Sequence, residues 1–582
     1  MEMDKPLMVV AIDFGTTYSS WACSMTHEYA ENPTKMYVRQ WIGGEHLSPK
    51  APTTVLIRAD GTTLEAFGYA AEDRYAELVE EGQHKLWYYF KRFKMKIFDN
   101  LELSRHTMIE DITGKTLPAM TVFARAIESM RNDFLSQFKS KLEGRIEDRD
   151  LCWVLTVPAI WSESAKQFMR QAAIMAGISN EYLRIALEPE AAALLCNYLP
   201  LKMFTISGSR STFQTFQKGS KYMVLDAGGG TVDITVHEVV DGGKLKELHK
   251  ATGGAWGGTA VDEAFRQFII KLVGNPVFQK FSRENTDDML DMFRAFEVKK
   301  REMQLMKEST ITLRIPVSLI RIFEKDTGEL LKETMCQTEF SDKIKLLNDK
   351  LKVDCTIIRG FFSKSVQSIT QYVNALLKSK QLEGVKSIIM VGGFSECQML
   401  QESIVSSLPE ISIIVPQDAS LAVLKGAVIY GHNQDAIVQR VCRYTYGIAG
   451  AKPFIQGVHK EEYREETDVG PLCDNMFIKV VQAGESVKLH ERRGEKCFKL
   501  NMENQDTYLF PIYVSSEASP TYVTDEGCRK LGCGKIVNLD KAVPLKDRKV
   551  EVSIIFGGTE MEVEAKEIHT GRKSNVVVDF LQ

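Results

Sequence analysis

Val10-Ala11-Ile12-Asp13-Phe14-Gly15-Thr16-Thr17-Tyr18 and Val224-Leu225-Asp226-Ala227-Gly228-Gly229-Gly230-Thr231-Val232-Asp233 follow one pattern. Each is an apolar strand ending in Asp-x-Gly, then a glycine or threonine turn, then a second strand. Glycine admits positive φ, successive backbone N–H groups in such a turn converge on an anion, and an aspartate at the strand end can hold a hydrated divalent cation. Either turn alone could be a plain glycine-rich hairpin. Two copies in register suggest two similar lobes gripping one nucleotide phosphate chain between them.

The rest of the chain is long enough for that arrangement. At 582 residues it exceeds a single core, and roughly 150 residues per domain gives about three or four units. With 44% hydrophobic residues, 26% charged residues and a net charge of -4, the composition is that of an ordinary globular protein with no basic excess for nucleic acid. Met1 to Pro6 lacks the basic and apolar regions of a signal peptide. The apolar runs at 387–394 and 421–430 fall far short of the ~20 residues of a membrane span. The eleven cysteines are scattered without a metal-binding or disulfide spacing, which reads as reduced thiols in a cytoplasmic protein.

Residues 1–204 alternate strand and helix signals, as an α/β lobe would. Ser162 is placed to cap a helix over 162–176, which ends before Gly177. Residues 205–220 are serine- and threonine-rich and read as an exposed loop between lobes. A second α/β lobe is predicted over 221–435, with long helices at 287–307 and 356–380. Residues 436–582 alternate like antiparallel strands, with Gly557-Gly558 as a hairpin turn. Gly114-Lys115-Thr116 looks like the end of another phosphate loop, but Ile109 stands where its first glycine should be, so it reads as a surface turn.

The Gly15-Thr16-Thr17-Tyr18 and Gly228-Gly229-Gly230-Thr231 turns can offer N–H groups and hydroxyls to phosphate oxygens. Asp13, Asp226 and Asp233 would orient waters around magnesium beside them. These paired signatures resemble the actin, sugar-kinase and heat-shock 70 kDa superfamily of two-lobed ATPases. Ile12 to Ser19, Thr156-Val157-Pro158-Ala159, Glu188-Pro189-Glu190-Ala191-Ala192-Ala193 and Asp226 to Thr231 narrow the likeness to the heat-shock 70 kDa family. The wording at 158–161, 165–170 and 391–394 is similar to a divergent branch of it.

The resemblance implies an α/β fold in which two actin-like, ribonuclease H-like lobes are followed by an antiparallel β-sandwich-like domain. It implies ATP or ADP and magnesium as cofactors, the metal held by Asp13 and Asp226 through water. It also implies catalytic roles for Lys91, Glu188, Asp226, Thr231 and Asp13. Lys91 matches the lysine that positions the attacking water, although Lys91, Arg92, Lys94 and Lys96 alone read as a surface basic cluster. Glu188, before Pro189, would relay the nucleotide state to the partner domain; alone it is a helix-start acid. Glu297, Lys300 and Arg301 share one helix face that the family uses for adenosine, but such spacing is more often a solvated salt-bridge stripe. The pairs Gly257-Gly258 and Gly392-Gly393 match glycines that approach phosphate and adenosine.

Some positions depart from the family pattern. Phe394 and Glu396 replace a serine and the arginine that would stack on adenine, Ser420 and Thr259 stand where acids are usual, and Gln304 replaces a serine. Asp418 could stand in for the acid only with a shift of two residues. The linker at 436–441 carries Arg440 where an acid is expected, and the chain leaves no room for a helical lid after the β pattern. Three functions follow from the likeness. One is a lidless chaperone with slow ATP hydrolysis, a polypeptide client, and co-chaperones or nucleotide exchange factors as partners. Another is a nucleotide-gated adaptor for one specific partner, with little hydrolysis. A small-molecule kinase is the third, and the β domain argues against it.

Overall fold

The computed structural model describes residues 5–43, 46–139, 146–207, 216–303, 310–467, 470–499, 507–537, 543–544, 547–576 and 578–581. The strand Met8–Phe14 lies at the centre of a sheet ordered Leu183–Leu187, Leu151–Val157, Met8–Phe14, Tyr18–Met25 and Tyr37–Val38. It runs parallel to Leu151–Val157 and antiparallel to its hairpin partner Tyr18–Met25. Every residue of Met8–Phe14 is buried because both faces of the strand are covered. Met8, Val10 and Ile12 point into a core shared with helices Ala119–Lys139 and Glu163–Met175. Val9 and Ala11, at the alternate positions, point to the opposite face.

The second sheet repeats this order. Ser412–Pro416, Val385–Val391, Lys221–Ala227, Val232–Val239 and Leu245–Gly254 lie side by side, with Lys221–Ala227 parallel to Val385–Val391 and antiparallel to Val232–Val239. Met223 and Leu225 face the core of this half, while Tyr222 and Val224 join Val9 and Ala11 in a layer common to both sheets. Helices Glu188–Cys196 and Ala422–His432 fill that layer. They cross so closely at Gly426 that a Cβ there would collide with the Ala191 carbonyl.

The helix expected from Ser162 spans Glu163–Met175, and the Ser162 hydroxyl accepts a hydrogen bond from Ala165 N–H at 3.2 Å. The other two long helices span Thr286–Glu302 and Cys355–Leu377. Gly114, at φ 89°, sits between the paired strands Met108–Glu110 and Thr116–Pro118, in a tight hairpin turn. Two boundaries differ from the expectation. The segment 205–220, read as an exposed loop, is exposed at Thr205 to Ser207 but begins there as strand Phe204–Ser207, an edge of the second sheet paired with Ser412–Pro416, and Phe216 packs on Phe204 and Tyr222. Residues 208–215 of that segment lie outside the described residues. The linker also joins this sheet: Ile437–Val441 runs parallel to Leu245–Gly254 and antiparallel to Ser486–Lys488. Neither is legible in the sequence because Phe204–Ser207 and Ile437–Val441 take strand partners about 200 residues away.

Beyond the linker the strands form a six-stranded and a four-stranded antiparallel sheet. Ile448, Phe510 and Ile512 of one pack against Val550, Val552 and Ile554 of the other. Lys549–Phe556 and Glu562–Glu567 pair as a hairpin, with Gly557 at φ 85° in its turn. This unit rests on the first half. The Gln167 amide donates to Val578 O and accepts from Phe580 N–H, both at 2.8 Å, Arg170 pairs with Glu560, and Leu581 is buried in the first core. No helix among the described residues is long and apolar enough to cross a membrane.

Candidate functional site

The two Asp-x-Gly turns face each other across a cavity of 330 Å³ between the sheets. Gly15, Thr16, Thr17 and Tyr18 line one side, and Gly228, Gly229, Gly230 and Thr231 line the other. Side chains at positions 229 and 230 are excluded by the first turn, since a Cβ on Gly229 would meet Thr17 and one on Gly230 would meet Thr16. Gly257 stands behind the second turn, with its N–H donating to Gly230 O at 3.1 Å, and Gly258 N–H donates to Gly228 O at 3.1 Å. Gly258 itself reaches the cavity wall, but Gly257 does not. Thr259 starts the helix Thr259–Val273, so the turn is braced on a helix N-terminus.

Asp13, Asp226 and Glu188 converge on the cavity. Both carboxylate oxygens of Asp13 are engaged: Thr156 Oγ1 donates to Oδ1 at 2.9 Å and Lys50 Nζ to Oδ2 at 2.6 Å. Asp226 pairs across the hairpin with Asp233, whose Oδ1 accepts from Ile160 N–H at 3.0 Å. Burial, reinforced by Glu188, Asp233 and Asp13, holds the Asp226 carboxyl well above the usual range. Among the described residues no cationic side chain pairs with it. A buried carboxylate of this kind fits a hydrated magnesium ion, whereas Asp13 already carries an ammonium.

Glu188 opens the helix Glu188–Cys196 with Pro189 in its first turn. Burial raises its carboxyl, opposed by the Lys94 ammonium, which donates to Oε1 at 2.6 Å. Lys94 is 2% exposed, and its ammonium lies 5.2 Å from the Trp161 ring centroid. Lys91, three residues earlier, is elsewhere. It ends strand Tyr88–Lys91 and lines a 660 Å³ cleft that adjoins the cavity along Thr17, Tyr18, Tyr69, Glu297 and Arg301, with Nζ 4.0 Å from Glu72 and its pKa lowered by burial to about 8. Arg92 between them adopts a left-handed backbone, φ 55°, and starts the short helical turn Phe93–Ile97 that carries Lys94 inward. Sequence reading passed over Lys50 and Lys94. Lys94 read only as part of a surface basic cluster while the family resemblance pointed to Lys91, and Lys50 had no signal, since its partner is 37 residues away.

The cavity is also lined by Glu297, Lys300 and Arg301 with Gly392, Gly393, Phe394, Glu396 and Ser420. Glu297 pairs with both Lys300 at 2.5 Å and Arg301 at 3.0 Å, and Lys300 also reaches Asp262 at 2.7 Å. The Arg301 guanidinium lies 5.3 Å from the Tyr18 ring centroid. Gly392, at φ 88°, leaves room for Asp226, which a Cβ would strike. Ser420 N–H donates to Glu396 at 3.1 Å, while Asp418 is tied to Lys425 at 2.7 Å and does not line the cavity. Gln304 lies outside the described residues.

The chain matches the family model described as Hsp70 protein over residues 90–503. It is 33% identical to heat shock 70 kDa protein 12B of Homo sapiens over an aligned length of 635, covering 99% of this chain and 91% of that protein. It is 32% identical to heat shock 70 kDa protein 12A of Homo sapiens and of Mus musculus, covering 100% of this chain and 92% of each. With two facing phosphate-type turns on sheets of one strand order, a β unit behind them, and likeness to these proteins along its whole length, this chain belongs to the heat-shock 70 kDa family.

Proposed function

We propose that the protein is an ATP-binding, Hsp70-like molecular chaperone with slow magnesium-dependent hydrolysis and a β domain that engages polypeptide. The observation that carries this reading is the convergence of both turns, Asp13, Glu188, Asp226 and Lys94 on one cavity. The backbone N–H groups of Thr16, Thr17, Gly229 and Gly230 and the Thr16 and Thr17 hydroxyls donate to phosphate oxygens, while the Thr231 hydroxyl hydrogen-bonds Asp233. Lys94, steadied by Glu188, neutralises charge on the phosphoryl group as water attacks phosphorus and the bond to the bridging oxygen breaks. Magnesium, when bound, adds charge neutralisation at the phosphates, and Asp226 would hold it through water. Glu297, Lys300, Arg301 and the 392–396 segment form the nucleoside end, and Phe394, packed on Phe362 with centroids 6.3 Å apart, supplies an apolar wall there.

A second reading is a nucleotide-gated adaptor that binds one partner and hydrolyses little. The placement of Lys91 in the adjoining cleft favours it, because the position that the family likeness assigns to the catalytic lysine does not line the cavity. ATP turnover with and without magnesium and unfolded peptide separates the two readings. Magnesium-dependent turnover accelerated by peptide is the result expected of the chaperone. Nucleotide-dependent protease protection with no turnover above background would leave the adaptor.

A further inference from the structure

The charges around the cavity do not fall where a metal-only phosphate site would put them. Four carboxylates stand close together: Asp13, Glu188, Asp226 and Asp233. Lys94 answers Glu188 and Lys50 answers Asp13, so two of the four are neutralised by the chain itself. The Lys50 contact is a built one. Pro49-Lys50 is held by Ser48, whose hydroxyl donates to Lys50 O at 2.8 Å, and the following residues Ala51 and Pro52 pair with Ser19 and Tyr18 on the strand that leaves the first turn. Lys50 therefore approaches Asp13 from the phosphate side, and Ser48, Pro49 and Lys50 all line the cavity.

An ammonium has three N–H donors. One donates to Asp13 Oδ2 at 2.6 Å, and the others remain for oxygens that enter the cavity. This is the geometry of a bridge between carboxylate and phosphate, the task a hydrated cation performs when a carboxylate stands alone. Each Asp13 oxygen already accepts one hydrogen bond, Oδ1 from Thr156 and Oδ2 from Lys50, so the ammonium stands where a hydrated cation would otherwise approach. Resting on the nucleotide-binding reading above, we propose that Lys50 is the chain's own bridge between Asp13 and the nucleotide phosphates, so that nucleotide is held without a divalent ion. Magnesium then serves turnover through Asp226, not retention of the nucleotide.

The test is calorimetric titration of ADP into the full chain in excess EDTA and in excess magnesium, repeated for Lys50→Gln and Lys50→Arg. The native Kd should change by less than about threefold on removing the metal. Loss of a charge-assisted bond should weaken Lys50→Gln by about tenfold or more in EDTA, with a smaller loss in magnesium, and Lys50→Arg should restore metal-free binding. A merely structural lysine would not make the mutational loss depend on the metal, and circular dichroism and melting of each variant in both buffers keep folding apart from binding. A native protein that loses more than tenfold in EDTA, or a Lys50→Gln that keeps metal-free affinity, would overturn the role of Lys50 and leave the nucleotide reading standing. Absence of ADP binding in both buffers would overturn that reading and this one with it.

Discussion

Arg440 and Glu190 form a buried two-pronged ion pair, Nε to Oε1 at 2.8 Å and Nη2 to Oε2 at 2.7 Å. Glu190 lies two residues after Glu188 on the same helix, and Arg440 lies on the linker strand, where its guanidinium also donates to the carbonyl of Gly557 in the β unit's hairpin turn. The pair thus ties the helix of the candidate site to the linker and the β unit. Nearby, Glu247 accepts from Val441 N–H at 2.8 Å, and burial raises its carboxyl to about 8.

Removing one partner of this pair should be far costlier than removing both. Arg440→Ala leaves Glu190 buried and uncompensated, at a cost of roughly 3–5 kcal/mol, whereas Arg440→Met with Glu190→Leu should recover most of that loss. Thermal melting of the two single variants and the double variant checks this, and equal melting of all three would contradict the buried-pair account.

For ATP turnover, Lys94→Ala should cost more than Lys91→Ala, and on the order of 100-fold in kcat if Lys94 faces the transferred phosphoryl group. Single-turnover assays at saturating ATP compare the two. A larger loss in Lys91→Ala would show that the cleft rearranges to bring that residue in.

His237 is fully buried, and burial pushes its imidazole down to about 4. Its Nε2 lies 2.9 Å from the Thr235 hydroxyl, and the charges of Glu190 and Arg440 act on it in opposite directions. Because the folded state resists protonation that the unfolded chain accepts from about pH 6.5 downward, this group contributes stability above pH 6.5 that is lost as the pH falls toward 4. His237→Asn should flatten that part of the profile, read as melting temperature against pH.

Gly426→Val should destabilise the molecule by roughly 1–3 kcal/mol or more, because the helix crossing at Ala191 has no space for a side chain. The same substitution at Gly360, where a Cβ would meet nothing, gives the reference for helix propensity alone. Equal melting temperatures would show that the crossing relaxes freely.

Local chemistry made much of this site readable. Asp13 and Asp226 with their turns could be found because a strand, an acid and a glycine turn are consecutive in the chain, and the Ser162 cap and the Gly557 hairpin announce themselves the same way. Lys94 could not be told from Lys91, since the choice rests on the left-handed backbone of Arg92, a conformation ordinary side chains seldom take. Lys50 and Arg440 acquire their meaning from carboxylates far along the chain, and Phe204–Ser207 from a strand more than two hundred residues later. Long-range pairing of this kind leaves no periodicity to read.

The two sheets share one strand order, and two copies of one turn confront each other across the cavity. Backbone symmetry of that sort gives an asymmetric ligand two equivalent directions of entry. The side chains differ between the halves: Lys50 and Lys94 of the first half and Glu297, Lys300, Arg301 and Phe394 of the second all line the cavity. A duplicated backbone thus carries unlike side chains in its two halves, and the cavity between them is not symmetric.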